Sequence, residues 1–331
     1  MEVNGIQRLD SFNSLSFYSE NAYHEIRIPG IVCLNGGELL CYYECRRGGD
    51  WSPIDVGMQK SVDGGRTWLP TRIIANGKGR NACNNPVMIS CCDTLYFFYC
   101  ENYKRLFLSE SKDGGESFSP PQELTGVIDT LSAGRFWSVL AAGPGHGAAL
   151  EDGTLLLPMW FGKNETDMFS HHPSYIAVLR RNSGGEWRLS SPIGEAVLQD
   201  PSECCVAAQP NGRLMLNIRN ENPQRRRAVS FGSPENDTWS KPVFDASLPD
   251  PVCAAGLCRC GEDLLFTNCR DTEKRSRLSL TRLNAAGQTR SVTLISDNGG
   301  YSDVVYAEKL GKAFVAFENG SGHLSIAEIQ I

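Results

Sequence analysis

The phrase Ser61-Val-Asp-Gly-Gly-Arg-Thr-Trp68 returns 50 residues later as Ser111-Lys-Asp-Gly-Gly-Glu-Ser-Phe118. Weaker copies follow at Asn182-Ser-Gly-Gly-Glu-Trp187 and Asn236-Asp-Thr-Trp239. A chain that repeats at such an interval is built from similar supersecondary units, which bury their apolar faces only by stacking. A second phrase recurs too, a glycine turn running into a strand: Asn35-Gly-Gly-Glu-Leu-Leu40, Glu151-Asp-Gly-Thr-Leu-Leu156 and Asn211-Gly-Arg-Leu-Met215. Short apolar or alternating runs lie between, among them Glu38–Tyr43, Thr94–Tyr99 and Arg213–Asn217. Each ends in Gly, Asn, Asp or Pro, the pattern of strands and tight turns, and no long segment holds a helical period.

These units predict an all-β chain, with blades of four antiparallel strands. At about 50 residues per blade, the 331 residues make a six-bladed β-propeller, read as a single domain over 1–331. Within the repeated phrase the aspartate bonds backbone amides and the glycines take positive φ. Asp63 and Asp113 are therefore read as structural, on equivalent turns of adjacent blades and away from any site.

With 32 basic against 38 acidic residues the formal charge is −6, the wrong sign for a general nucleic-acid binder. No apolar run has the length of a membrane helix, and residues 1–20 carry no secretory pattern. The thirteen cysteines sit in apolar stretches such as Ile31-Val-Cys33 and Phe98-Tyr-Cys100, without paired zinc spacing. They read as small buried hydrophobes kept reduced, which suits a cytoplasmic protein. His24, His146, His171 and His172 are scattered and read as loop histidines rather than metal ligands, with His146 able to line a pocket. Arg225-Arg226-Arg227 reads as a solvated basic face.

Further phrases, in order along residues 20–320, resemble the sialidase family. Arg27-Ile-Pro29 resembles its opening R-I-P motif, and the repeated phrase is similar to its Asp-box. Gly143-Pro-Gly-His-Gly147 resembles a turn of the family. Ser202-Glu203-Cys-Cys-Val206 and Gly212–Arg219 resemble its glutamate and second-arginine strands. Leu248-Pro-Asp-Pro-Val-Cys253 and Gly300-Tyr301-Ser-Asp303 resemble a family loop and its tyrosine turn. The resemblance implies a retaining exo-α-sialidase that releases terminal sialic acid from glycans or other sialosides, with no cofactor and no metal.

Sialic acid carries a carboxylate on its anomeric carbon, and arginine binds carboxylates with a planar, permanently charged fork. The resemblance assigns Arg27 and Arg219 to this role. The family's R-x-x-L spacing selects Arg275 as the third arginine, with Arg270 and Arg277 as alternatives. It also makes Tyr301 the nucleophile, since sialidases are the known tyrosine exception among glycosidases. A neutral phenol avoids the repulsion an anionic nucleophile would meet, but needs a base, and Glu203 is implied as that base. The acid/base is implied to be Asp50, on the mobile loop after Glu44-x-Arg46, with Asp55 as an alternative. Arg46 would touch substrate or orient Asp50. The same set could serve a related nonulosonic acid, or release a cyclised or transferred product. A non-catalytic glycan-binding propeller would have lost part of it. An inverting two-carboxylate glycosidase would have no use for the arginines.

Overall fold

Six antiparallel sheets follow one another along the chain. The computed structural model describes residues 1–9, 23–320 and 322–331. Blade one is Glu25–Cys33, Leu39–Arg46, Ile54–Ser61 and Arg72–Ala75. Blade two is Cys83–Cys91, Thr94–Glu101, Arg105–Ser111 and Gln122–Glu123, with Gly145–His146 added in parallel along its inner edge. Blade three is Val139–Ala142, Leu155–Gly162, Ser174–Arg181 and Trp187–Leu189. Blade four is Cys204–Ala208, Leu214–Ile218, Arg226–Gly232 and Val243–Pro249. Blade five is Gly256–Cys260, Asp263–Cys269, Ser276–Leu283 and Thr289–Asn298. Blade six is Ser302–Ala307, Lys312–Glu318 and Leu324–Gln330, with Glu2–Arg8 as its outer strand. The inner strands pack in ring order, and blade one closes against blade six, giving a six-bladed β-propeller. Thr125–Leu131 is the one α-helix among the described residues.

Each blade has a neighbour on both faces, so its second strand is buried on both. Leu39–Arg46 is buried at every position, which is why it reads as a continuous apolar run rather than an alternating one. The thirteen cysteines form no disulfide, and eleven are buried. Burial pushes the Cys83 thiol up to about 12, which keeps such thiols inert.

The two Asp-boxes join the third and fourth strands of blades one and two. Asp63 Oδ1 accepts from the Ser61 hydroxyl at 2.9 Å and from Thr67 N at 2.9 Å. Asp113 repeats this with Ser111 at 2.8 Å and Ser117 N at 2.9 Å. The Thr67 hydroxyl, which donates to Asp63 Oδ2 at 2.6 Å, and the Thr67 amide hold the Asp63 carboxyl down at about 2. Gly65 has φ +86°, and a Cβ there would lie 2.6 Å from Phe314 of blade six. The box thus needs glycine twice over, for its backbone and for its contact with the preceding blade.

A buried polar knot crosses the axis. Asp303 of blade six accepts Ile31 N of blade one at 3.0 Å and faces His146 Nδ1 of blade two at 2.8 Å. His146, read as a possible pocket residue, belongs to this knot and to a separate cavity near the far ends of the inner strands. The run Arg225–Arg227 departs from the solvated reading at its last member, while Arg225 is exposed. Arg227 is fully buried, donating to Asn217 Oδ1 and to Cys253 O at 2.7 Å each, with Asp250 at 3.5 Å. A buried guanidinium is tolerable only with such partners, and here they hold the Leu248–Cys253 loop beneath blade five.

Candidate active site

Antiparallel pairing decides which side chains can meet. Cys204 pairs with Ile218, so Glu203, before the first strand of blade four, and Arg219, after the second, emerge at the same end. Their backbones remain bonded, Arg219 N to Glu203 O at 3.2 Å. Tyr301 occupies the position before the inner strand of blade six, and Arg275 precedes the third strand of blade five. Arg27 lies in the first strand of blade one, beside a register break between Arg27 and Gly30. All five, with Arg46 and Asp50, line one cavity of about 190 Å³.

Tyr301 is at its centre. Its hydroxyl donates to Glu203 Oε1 at 2.7 Å and accepts from Arg219 Nη1 at 2.7 Å. Arg219 also pairs directly with the Glu203 carboxylate. The guanidinium carbons of Arg27, Arg275 and Arg219 stand 5.1, 5.1 and 5.9 Å from the centre of the phenol ring. Burial raises the Tyr301 pKa well above that of a free phenol. Glu203 adds to the rise, and Arg219 and Arg275 oppose it. The phenol therefore rests neutral.

The three arginines are not equally satisfied. Arg27 is gripped by Glu318, Nε to Oε1 at 3.0 Å and Nη2 to Oε2 at 3.2 Å. Glu318 also accepts Ile28 N and Tyr301 N, each at 3.1 Å. Gly300 makes room for this, since a Cβ there would lie 2.5 Å from Glu318 Oε2. Arg275 has only the Val252 carbonyl at 3.5 Å and no carboxylate partner among the described residues. The Nε of Arg219 is buried without a partner. Unsatisfied guanidinium donors around one small cavity make an anion site. Arg270 and Arg277, the alternatives for the third position, do not line it.

Asp50 lines the cavity and keeps a side chain 46% exposed, with Arg46 Nη1 at 2.6 Å. Arg46 is itself held by buried Glu44, Nε to Oε2 at 2.7 Å. Asp55 lies elsewhere, buried under Tyr23, Arg47 at 2.9 Å and Gly77 N at 2.7 Å. Asp63 and Asp113 are not among the lining residues.

Sequence reasoning missed Glu318 and the far wall of the cavity. Glu318 reads as an ordinary strand-end acid. The wall is Tyr103 of blade two with Trp160 and His171 of blade three. Their rings lie 5.1 to 6.1 Å apart. Trp160 Nε1 and His171 Nε2 are buried without a hydrogen-bond partner. Burial pulls the His171 pKa down, against the pull of Asp50 and Glu203, so the ring is neutral at neutral pH. Beside it, His172 faces Asp200 and Glu221 at 3.7 and 3.4 Å, a pairing across three loops that their sequence positions do not announce.

Residues 37–315 match the family model described as a BNR repeat-like domain. The chain is 26% identical to a sialidase of Bacteroides fragilis, over 99% of this chain and 64% of that protein. It is 24% identical to an exo-alpha-sialidase of Arthroderma benhamiae, over 85% of this chain and 75% of that protein. Among solved structures, Hadza microbial sialidase Hz136 superposes with a TM-score of 0.80 at 24% identity, over 93% of this chain and 66% of that one. Trypanosoma rangeli sialidase in complex with sialic acid gives 0.73 at 21%, over 99% of this chain and 59% of that one. This chain thus spans under two thirds of several of its relatives, and the structural likenesses establish the shared propeller.

Proposed function

The chain belongs to the sialidase family of BNR repeat-like propellers, and from that premise we propose that it is a retaining exo-α-sialidase with Tyr301 as nucleophile. The observation that carries this reading is the bonded set Tyr301–Glu203–Arg219 beneath three converging guanidinium groups.

The substrate carboxylate docks among Arg27, Arg219 and Arg275, where Arg275 has no counter-charge of its own. This seats the anomeric carbon over the Tyr301 oxygen. Because burial holds the phenol neutral, attack requires a base, and Glu203 Oε1 already accepts a hydrogen bond from the phenol. As the tyrosyl oxygen bonds to the anomeric carbon, the glycosidic bond breaks and Asp50 gives its proton to the departing oxygen. Asp50 then takes a proton from water. That water attacks the anomeric carbon, and the tyrosyl oxygen leaves and recovers its proton from Glu203. Two displacements at one carbon retain configuration. Arg46 positions Asp50 through the contact at 2.6 Å.

Ring chemistry supports the orientation. In the pyranose, the fifth carbon lies across the ring from the anomeric carbon. In a six-bladed ring, blades two and three stand opposite blades five and six. A substituent on that carbon therefore faces Tyr103, Trp160 and His171, where an indole N–H and an imidazole nitrogen lack partners.

Incubation with an α-linked sialoside, with products identified by mass, tests the reading. Free sialic acid released first as the α-anomer is expected. Release of the β-anomer, or no turnover, would contradict it. An anhydro or transferred product would keep the tyrosine chemistry and change the second step.

A further inference from the structure

Two aromatic side chains just outside the cavity have no role in the account above. Trp51 follows Asp50 directly and is 37% exposed, and Phe169, in the loop after the second strand of blade three, is 65% exposed. Their rings meet edge to face at 5.1 Å. Trp51 also packs on Tyr103 at 4.9 Å and on His171 at 5.8 Å, so the pair continues the cavity's far wall outward. Met168, 44% exposed, adjoins them.

Exposed carbon of this kind is costly in water, and here it is held in place. Asn164 Oδ1 accepts the backbone N–H of Thr166 and Asp167. Asp167 Oδ1 accepts Phe169 N at 2.9 Å. Lys104 Nζ donates to Met168 O at 2.7 Å and stands 5.9 Å from the centre of the Phe169 ring. The loop is braced so as to present Phe169 outward.

We propose that Trp51 and Phe169 form the subsite for the leaving-group sugar, a platform for the C–H face of the first pyranose beyond the scissile bond. This rests on the sialidase reading. The oxygen that Asp50 protonates belongs to the leaving group, so the first leaving ring lies within one ring's width of the Asp50 carboxyl. Trp51 is the next residue on that loop. Pyranose C–H hydrogens are slightly positive and aromatic faces slightly negative, so the two attract in addition to the apolar area they cover. The cavity itself, at about 190 Å³, has room for no more than one sugar, which leaves the rest of a glycan to lie over the mouth. The occupant is thus the remainder of the substrate itself rather than an apolar protein partner.

The test compares two α-sialosides that differ only in leaving group, one carrying lactose and one carrying methanol. Phe169→Ala is expected to lower the ratio of their kcat/KM values, lactoside over methyl, by roughly tenfold, the size of one lost stacking contact. The change should fall mainly on KM. Phe169→Trp is expected to keep the wild-type ratio, which separates a lost platform from a damaged loop. An unchanged ratio, or equal losses on both substrates, overturns the proposal while leaving the sialidase reading intact. A wild-type protein that hydrolyses neither substrate overturns both.

Discussion

As the proposed nucleophile, Tyr301 would work only as one member of a unit. Its phenol is pushed far from ionisation by burial, so in the proposed reaction the proton moves to Glu203 as the bond to the sugar forms. Tyr301→Phe and Glu203→Gln are each expected to lower kcat by about 10²–10⁴, the range of a lost acid–base contribution. Because both remove the same step, the double variant should be little worse than either single one. Stopped-flow or steady-state kinetics on an aryl sialoside measures this, and losses that multiply would mean the two act separately. The pair was legible from the sequence only through family resemblance, since 98 residues separate them and no local pattern joins them. Glu318 was not legible at all. It grips Arg27 from 291 residues away, and its neighbours in the chain say nothing of that contact. The resemblance pointed to Asp50 and left Asp55 as an alternative. Both are acids in one loop-and-strand segment, and only the bonds to Tyr23, Arg47 and Gly77 show that Asp55 is already occupied.

Among the elements, the Asp-boxes were legible because their bonds close within seven residues, between Ser61 and Thr67 and again between Ser111 and Ser117. The strands were legible from short apolar runs ended by glycine turns. The loop Leu248–Cys253 was legible as a phrase but not as a mechanical part. Its anchor, Arg227, reads as one of three surface arginines and is instead buried against Asn217, Asp250 and Cys253. Burial is set by the neighbouring blade, which sequence near Arg227 does not encode. Arg227→Ala leaves the buried Asp250 without its partner and is expected to destabilise the protein by about 3–5 kcal/mol. Chemical denaturation should show this. A loss under about 1 kcal/mol, the ceiling typical of exposed pairs, would mean the pair carries no structural load.

The whole molecule is a ring that must close around one axis, and the His146–Asp303 contact ties three blades there. Burial alone would lower the His146 pKa, but Asp303 overrides it and the net shift is upward. A histidine with a raised folded-state pKa stabilises fully below its unfolded value and loses that contribution as pH rises through the folded value. His146→Gln should therefore cost more melting temperature at about pH 5.5 than at about pH 9, either side of the ordinary histidine value. An equal cost at both would show that the contact is not charged. Closure of the same ring brings blade four's Glu203 and Arg219 to blade six's Tyr301, and on that meeting the catalytic account depends. The most direct test is intact-mass analysis after incubation with a 2,3-difluorinated sialic acid, followed by peptide sequencing. A fluorine on the third carbon slows the second displacement and should leave the glycosyl-enzyme standing. The account predicts one sialyl adduct per chain, on Tyr301, and none on Tyr301→Phe. An adduct on Asp50 or Glu203 would contradict it.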